Sequence, residues 1–259
     1  MSVDGVLFDI DGVLVTSWRP IPGAADALRA VRDRSLPVAF LTNTTSRTRA
    51  DIAATLRERG MDVDAREIVT AAALTAEYLR VTYPGARCLV VNHGDVGEDL
   101  TGVVLDDADP EVVVLGGAGP EFDHVTLSRV VELMQRGVPV VAMQGGLTWA
   151  TEDGLRIDTG AYLCGLEAAG DARATVIGKP APTGFTTAAA LMGSDPERTV
   201  MIGDDLVNDV LAAQYVGLIG VLVRTGKFRP AVLVSAPRPP DHVIDSVADL
   251  PALLDELDP

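Results

Sequence analysis

At 259 residues and 47% hydrophobic content, the chain can fill the core of one large domain or two smaller ones. Its net charge of −16 argues against wrapping nucleic acid or an anionic membrane. That balance still leaves room for a small phosphorylated ligand held by a local lysine, a metal ion and backbone N–H groups. No apolar stretch approaches the roughly 20 residues of a membrane helix. No charged segment runs into an apolar one at the amino terminus. Cys88 and Cys164 are far apart and match no zinc spacing, so buried thiols and a cytoplasmic location are expected.

Apolar β-rich runs alternate with amphipathic stretches from end to end, the pattern of an α/β fold with a mostly parallel sheet. The spacing predicts a strand over Val3–Phe8, a helix over Gly23–Arg34 and a strand over Pro37–Leu41. A helix over Ser46–Arg59 follows, with Ser46 as its N-cap and Gly60 as its stop. The middle has its own rhythm of strands at Arg87–Val91, Val112–Leu115 and Pro139–Met143, with a helix at Thr126–Gln135. Beyond it come strand Ala174–Ile177, helix Thr183–Met192, strand Thr199–Ile202, helix Asn208–Tyr215, strand Gly220–Val223 and helix Val247–Glu256. The economical organisation is an α/β module inserted into another. Residues 1–74 and 174–259 then form the core, and 75–173 form the insert.

Polar residues gather where these strands end. Asp9 and Asp11 follow Val6-Leu7-Phe8, and residues two apart on a strand share a face. Two like charges so close raise each other's pKa unless a cation intervenes, which suits a metal site or an acid/base pair. Turn chemistry alone would also place Asp-x-Asp-Gly there. Thr42-Asn43, Lys179 and Asp204-Asp205 occupy the ends of three further strands, with Asp209 close behind. Open α/β sheets bind ligands outside the carboxyl ends of their strands. The residue types suit Mg²⁺, which takes one or two carboxylates plus phosphate and water. They also suit an aspartate nucleophile and a second carboxyl working as acid and base.

Asp9-x-Asp11-Gly12-Val13-Leu14, Leu41-Thr42-Asn43, Gly178-Lys179-Pro180 and Gly203-Asp204-Asp205-x-x-Asn208-Asp209 resemble, in order, the four motifs of the haloacid dehalogenase superfamily. The resemblance spans essentially the whole chain. It implies a Rossmann-like parallel-sheet core with an inserted smaller α/β cap domain. Asp9 would be the nucleophile, passing through an aspartyl-phosphate, and Asp11 the general acid/base. Mg²⁺ would be held by Asp9, Asp204 and the main-chain oxygen of Asp11, with Asp205 and Asp209 supporting it from behind. Thr42, Asn43 and Lys179 would bind the substrate phosphate.

Between Gly12 and Pro22 there is no room for a cap, whereas the stretch from Asn43 to Lys179 far exceeds one βα connection. That resembles the subgroup with a C2-type α/β cap, which includes the p-nitrophenyl phosphatase-like enzymes. Thr42-Asn43-Thr44-Thr45, Met201-Ile202-Gly203-Asp204-Asp205 and Val223-Arg224-Thr225-Gly226-Lys227-Phe228-Arg229-Pro230 are similar to the branch containing phospholysine phosphohistidine inorganic pyrophosphate phosphatase. Some of that branch carry Ser where this chain has Asp11, so the full Asp pair favours phosphomonoester hydrolysis over pyrophosphate or phosphoamide cleavage. A phosphoryl-sensing protein with little turnover would not need Asp11. Metal-free dehalogenation would not need Asp204 or Asp209.

Other signals carry less. Gly116-Gly117-Ala118-Gly119 lacks the third glycine of a dinucleotide fingerprint and reads as a tight turn in the cap. Gly226-Lys227 resembles the tail of a phosphate-binding loop, but Phe228 replaces its Ser or Thr, which makes it an ordinary loop. Trp149 with Glu152, Asp153 and Asp158 could hang over the site, although packing of Trp149 and Tyr162 in the cap's core is the plainer expectation. Trp18, Arg19 and Arg47 are further candidates for substrate contact. An exposed apolar cap surface could pair two subunits into a homodimer.

Overall fold

The structure is a computed structural model that describes residues 2–151 and 154–258. The chain divides into two compact units. The larger comprises residues 1–42, 49–69 and 179–259, and the smaller comprises 43–48 and 70–178.

The larger unit is built on a six-stranded sheet in the order His242–Ile244, Ile219–Val223, Thr199–Gly203, Gly5–Phe8, Val38–Thr42, Ile68–Thr70. Gly5–Phe8 pairs in parallel with both Thr199–Gly203 and Val38–Thr42. These strands are mostly apolar, as in a parallel sheet covered on both faces, with polar residues confined largely to their ends. Val6, Leu7 and Phe8 are fully buried, and Phe8 stacks on Phe40 with ring centroids 5.7 Å apart. Helix Ala24–Asp33 contributes Ala24, Ala27, Leu28 and Val31, the one-face spacing of a helix lying on a sheet. Successive connections carry the chain from Gly5–Phe8 out to one edge and later to the other. The order therefore reverses between Gly5–Phe8 and Thr199–Gly203, which opens a crevice at their carboxyl ends.

The smaller unit carries a five-stranded sheet in the order Thr175–Val176, Val140–Ala142, Val112–Leu115, Arg87–Val91, Val104–Leu105, with every pairing parallel. Helices His124–Gln135 and Thr159–Gly170 supply Leu133, Met134, Leu163 and Leu166 to its core. Tyr162 packs there against Phe122 at 5.1 Å, whereas Trp149 stands 42% exposed on hairpin Thr148–Thr151/Gly154–Ile157. Glu152 and Asp153 lie outside the described residues. Among the described residues, no helix is long and apolar enough to cross a membrane.

The α/β reading holds, with local corrections. The strand expected at 174–177 pairs with Val140–Ala142 in the smaller sheet and not in the larger one, so that unit runs on to Gly178. It also begins earlier, because Thr70 caps helix Ala71–Thr82 and its hydroxyl donates to buried Asp99 at 3.1 Å. The helix after Val38–Thr42 starts at Arg49, so Ser46 is not its N-cap. Its stop is as expected: Gly60 adopts φ +82° and Met61 N–H bonds back to Leu56.

Candidate active site

Strand register delivers the first two acidic residues to the crevice. Phe8 lies level with Ile202, and the Asp9 N–H donates to the Ile202 carbonyl at 2.9 Å. Asp9 and Asp204 therefore emerge side by side as their strands end. Asp209 joins them from the π-helical turn Leu206–Leu211, which runs into helix Ala212–Tyr215. Such π turns recur at functional sites. Carboxylate oxygens of Asp9, Asp204 and Asp209 lie within 4.8 Å of one another, and all three residues are at most 5% exposed.

One cation is built into this cluster. The Lys179 ammonium, itself 4% exposed, donates to Asp9 Oδ1 at 2.6 Å and pairs with Asp209 Oδ1 at 2.7 Å. Burial works against its charge, but the Asp209 and Asp9 carboxylates outweigh that and hold its pKa above the usual lysine range. Asp209 spends its other oxygen on the Asp205 N–H at 3.0 Å. Asp205 in turn caps the π turn through the N–H groups of Val207 and Asn208. Both residues are thus engaged in holding the cluster in shape.

Asp204 is different. Its Oδ2 accepts the Lys227 N–H at 2.7 Å, while Oδ1 is buried without a hydrogen-bond partner among the described residues. Burial, then the charges of Asp9 and Asp209, raises its carboxyl pKa to about 8. Burial likewise lifts Asp209 to about 6 against the pull of Lys179, with Asp9 and Asp205 adding to the rise. An orphaned carboxylate oxygen beside two further buried carboxylates is a donor set that fits a divalent cation.

Asp9 and Asp11 are placed relative to each other by the turn after the strand and not by strand pleating. The strand ends at Phe8, Ile10 turns into the core, and Gly12 at φ +89° reverses the chain. The Asp11 carboxylate is outside the metal-capable cluster and reaches solvent, among crowding groups that desolvate it. That desolvation raises its pKa, against Lys227, the Ser17 N–H and Lys179. Ser17 and Trp18 form the left-handed turn of hairpin Val15–Thr16/Arg19–Pro20, which places the Ser17 N–H by Asp11. Thr42 is buried as the last residue of its strand, and Asn43 begins the 43–48 segment of the smaller unit.

The loop after strand Ile219–Val223 is the part sequence reasoning missed. Thr225 Oγ1 donates to the Gly12 carbonyl at 2.5 Å, and a Cβ on Gly226 would sit 2.0 Å from Asp204 Oδ2. A Cβ on Gly12 would meet the same oxygen at 1.9 Å, so two glycines and one N–H wrap Asp204. Burial opposes the charge of Lys227, yet Asp204, Asp9 and Asp209 raise its pKa. The available signal was position: Arg224 to Lys227 follow the carboxyl end of a fifth strand.

The pKa shifts carry a prediction for the metal-free protein. A carboxyl whose pKa is higher folded than unfolded takes up a proton on folding. Its stabilising contribution is present below the unfolded value of about 4 and is lost as pH rises through the folded value. With Asp209 raised to about 6 and Asp204 to about 8, the melting temperature in EDTA should fall between about pH 5 and pH 8. Added Mg²⁺ should restore more at pH 8 than at pH 5, since binding must displace those protons. A flat EDTA profile would contradict this electrostatic account.

A buried lysine and carboxylate cluster at the switch point of a parallel sheet, in a chain with an inserted α/β cap, is an arrangement suited to phosphoryl chemistry. Residues 6–106 match the family described as haloacid dehalogenase-like hydrolase, and residues 176–250 match the related HAD-hydrolase-like family. The chain is 36% identical over 230 residues to haloacid dehalogenase-like hydrolase domain-containing protein 2 of Bos taurus, covering 89% of this chain and 87% of the relative. It is 33% identical over 259 residues to phospholysine phosphohistidine inorganic pyrophosphate phosphatase of Homo sapiens, covering 98% and 94%. The p-nitrophenyl phosphatase from Archaeoglobus fulgidus superposes with a TM-score of 0.90 at 25% identity, over 98% of this chain and 100% of that one. The chain belongs to the haloacid dehalogenase-like hydrolases, in the p-nitrophenyl phosphatase-like group, and is a phosphatase.

Proposed function

We propose that this phosphatase hydrolyses a small phosphorylated metabolite in a Mg²⁺-dependent reaction that passes through an aspartyl-phosphate on Asp9. The observation that carries the reading is the buried Asp9–Lys179–Asp209 array beside the unpartnered oxygen of Asp204. Asp9 and Asp204, with the main-chain oxygen of Asp11, would hold Mg²⁺, which would draw charge from the phosphoryl oxygens. Lys179 orients the Asp9 carboxylate. An Asp9 oxygen attacks phosphorus as the bond to the leaving oxygen breaks, and Asp11 gives that oxygen its proton. Asp11 then takes a proton from water, whose oxygen attacks the same phosphorus and frees Asp9 and inorganic phosphate. Desolvation raises the Asp11 pKa, the direction that suits a group donating a proton to the leaving oxygen. Thr42 and Asn43 bind the phosphate oxygens.

A second reading, cleavage of P–O–P or P–N bonds, draws on the 33% identity to the human pyrophosphate phosphatase. One assay addresses both: inorganic phosphate release from phosphomonoesters, pyrophosphate and phospholysine, with Mg²⁺ or with EDTA. Release should fall by about 100-fold or more in EDTA, given the several kcal/mol a metal contributes to such transition states. Undiminished release in EDTA would sink the Mg²⁺ dependence. Silence across the panel, with phosphorylated ligands still raising the melting temperature, would favour a sensing role.

A further inference from the structure

Asn92 and the turn Gly116-Gly117 clamp the segment that supplies Asn43. Asn92 follows strand Arg87–Val91, at the carboxyl edge of the smaller sheet. Its Nδ2 donates to the Thr45 carbonyl at 2.9 Å and to the Gly94 carbonyl at 3.0 Å. Its Oδ1 accepts the Gly117 N–H at 2.8 Å. The amide can make at most four hydrogen bonds, and three are used on three different chain segments.

Close packing completes the clamp. A Cβ on Gly94 would lie 2.5 Å from Ser46 Cα, and one on Gly117 would lie 2.4 Å from Thr45 Oγ1. Thr45 is buried, although a residue in a short connecting segment ordinarily faces water. Asn43 itself is packed at the same edge, since a Cβ on Gly178 would fall 2.6 Å from its Oδ1. The segment 43–48 clusters with the smaller unit for these reasons, although its neighbours in sequence on both sides belong to the larger one.

We infer that Asn92 is a positioning residue for substrate phosphate. It fixes the backbone of Thr45, and through it the place of Asn43, from within the inserted unit. The inference rests on the phosphate-binding role assigned above to Asn43. A donor that places a binding group to within tenths of an ångström is felt in affinity rather than in the amount of folded protein. The metal-binding carboxylates belong to the other unit and are not held by Asn92.

The test is calorimetric titration of inorganic phosphate into the Mg²⁺-loaded protein and, separately, of Mg²⁺ into the metal-free protein, on wild type and Asn92→Asp. The aspartate keeps the size and the acceptor but turns an oxygen toward two carbonyls. Phosphate should bind about tenfold more weakly, the worth of one well-placed hydrogen bond, with Mg²⁺ affinity unchanged. Gly117→Ala should weaken phosphate in the same way by pressing on Thr45 Oγ1. Adding Thr45→Ala, which removes that oxygen, should recover affinity. This second series decides the matter if Asn92→Asp fails to fold. Phosphate affinity within twofold of wild type in Gly117→Ala, or no recovery in the double variant, overturns the positioning role while leaving the phosphatase reading intact. Wild-type protein that binds no phosphate overturns both.

Discussion

Asp9→Asn should abolish phosphate release, by on the order of 10⁴-fold or more in kcat, the usual scale for loss of a covalent nucleophile. The amide cannot supply the anionic oxygen that attacks phosphorus, although it fills the same space. Stability should move the other way. Asp9, Asp204 and Asp209 are three buried carboxylates within 4.8 Å of one another, and Lys179 directly pairs Asp9 and Asp209. Removing one negative charge relieves that repulsion, so the metal-free variant should melt no lower than wild type at pH 8. The combination matters because it separates lost chemistry from lost fold. Near-wild-type turnover would show that Asp9 is not the nucleophile.

Lys179→Met should cost both activity and stability. The ammonium is the bridge between Asp9 Oδ1 and Asp209 Oδ1, and methionine leaves those carboxylates buried without it. Breaking such a pair by deleting one partner typically costs about 3–5 kcal/mol. For a chain of this size that corresponds to a melting temperature lower by roughly 10 °C. The loss should be larger at pH 8 than at pH 5, where Asp209, raised by burial to about 6, can take up a proton. Activity should fall by about 100-fold or more, as for other groups that stabilise a transferring charge. Thermal unfolding in EDTA at both pH values, with the phosphate assay alongside, checks each part. A drop under about 2 °C at pH 8 would mean that the ion pair is not what holds the cluster together.

Asp9 and Asp204 were legible because each follows a short apolar run that reads as a strand, and Asp209 because it lies a few residues beyond the second of these. Val6-Leu7-Phe8 leads to Asp9 and Val200-Met201-Ile202-Gly203 leads to Asp204. The geometry inferred for the Asp9/Asp11 pair was not legible in the same way. The same-face argument assumed that the strand continues past Asp9, but it stops at Phe8 and Gly12 turns the chain. Lys227 was passed over for a related reason. Its loop was judged as a phosphate-binding motif and failed, while its value lies in a backbone N–H aimed at Asp204. Strand Thr175–Val176 is too short to declare its sheet, and only pairing with Val140–Ala142 assigns it to the smaller unit.

By itself the sequence determined the α/β class, the insertion between Asn43 and Lys179, and the acidic and basic residues at the strand ends. Local periodicity and residue type carry that information, because apolar runs and turn formers act over a few neighbours. Tertiary structure decided what each charge does. Whether a carboxylate is paired, capped or left without a partner depends on chain segments far apart in sequence meeting at one crevice. Lys179 meets Asp9 and Asp209, Lys227 meets Asp204, and Asn92 meets Thr45 only after the sheets have formed. Burial then sets the cost of each charge, and burial is a property of the folded chain and not of any window along it.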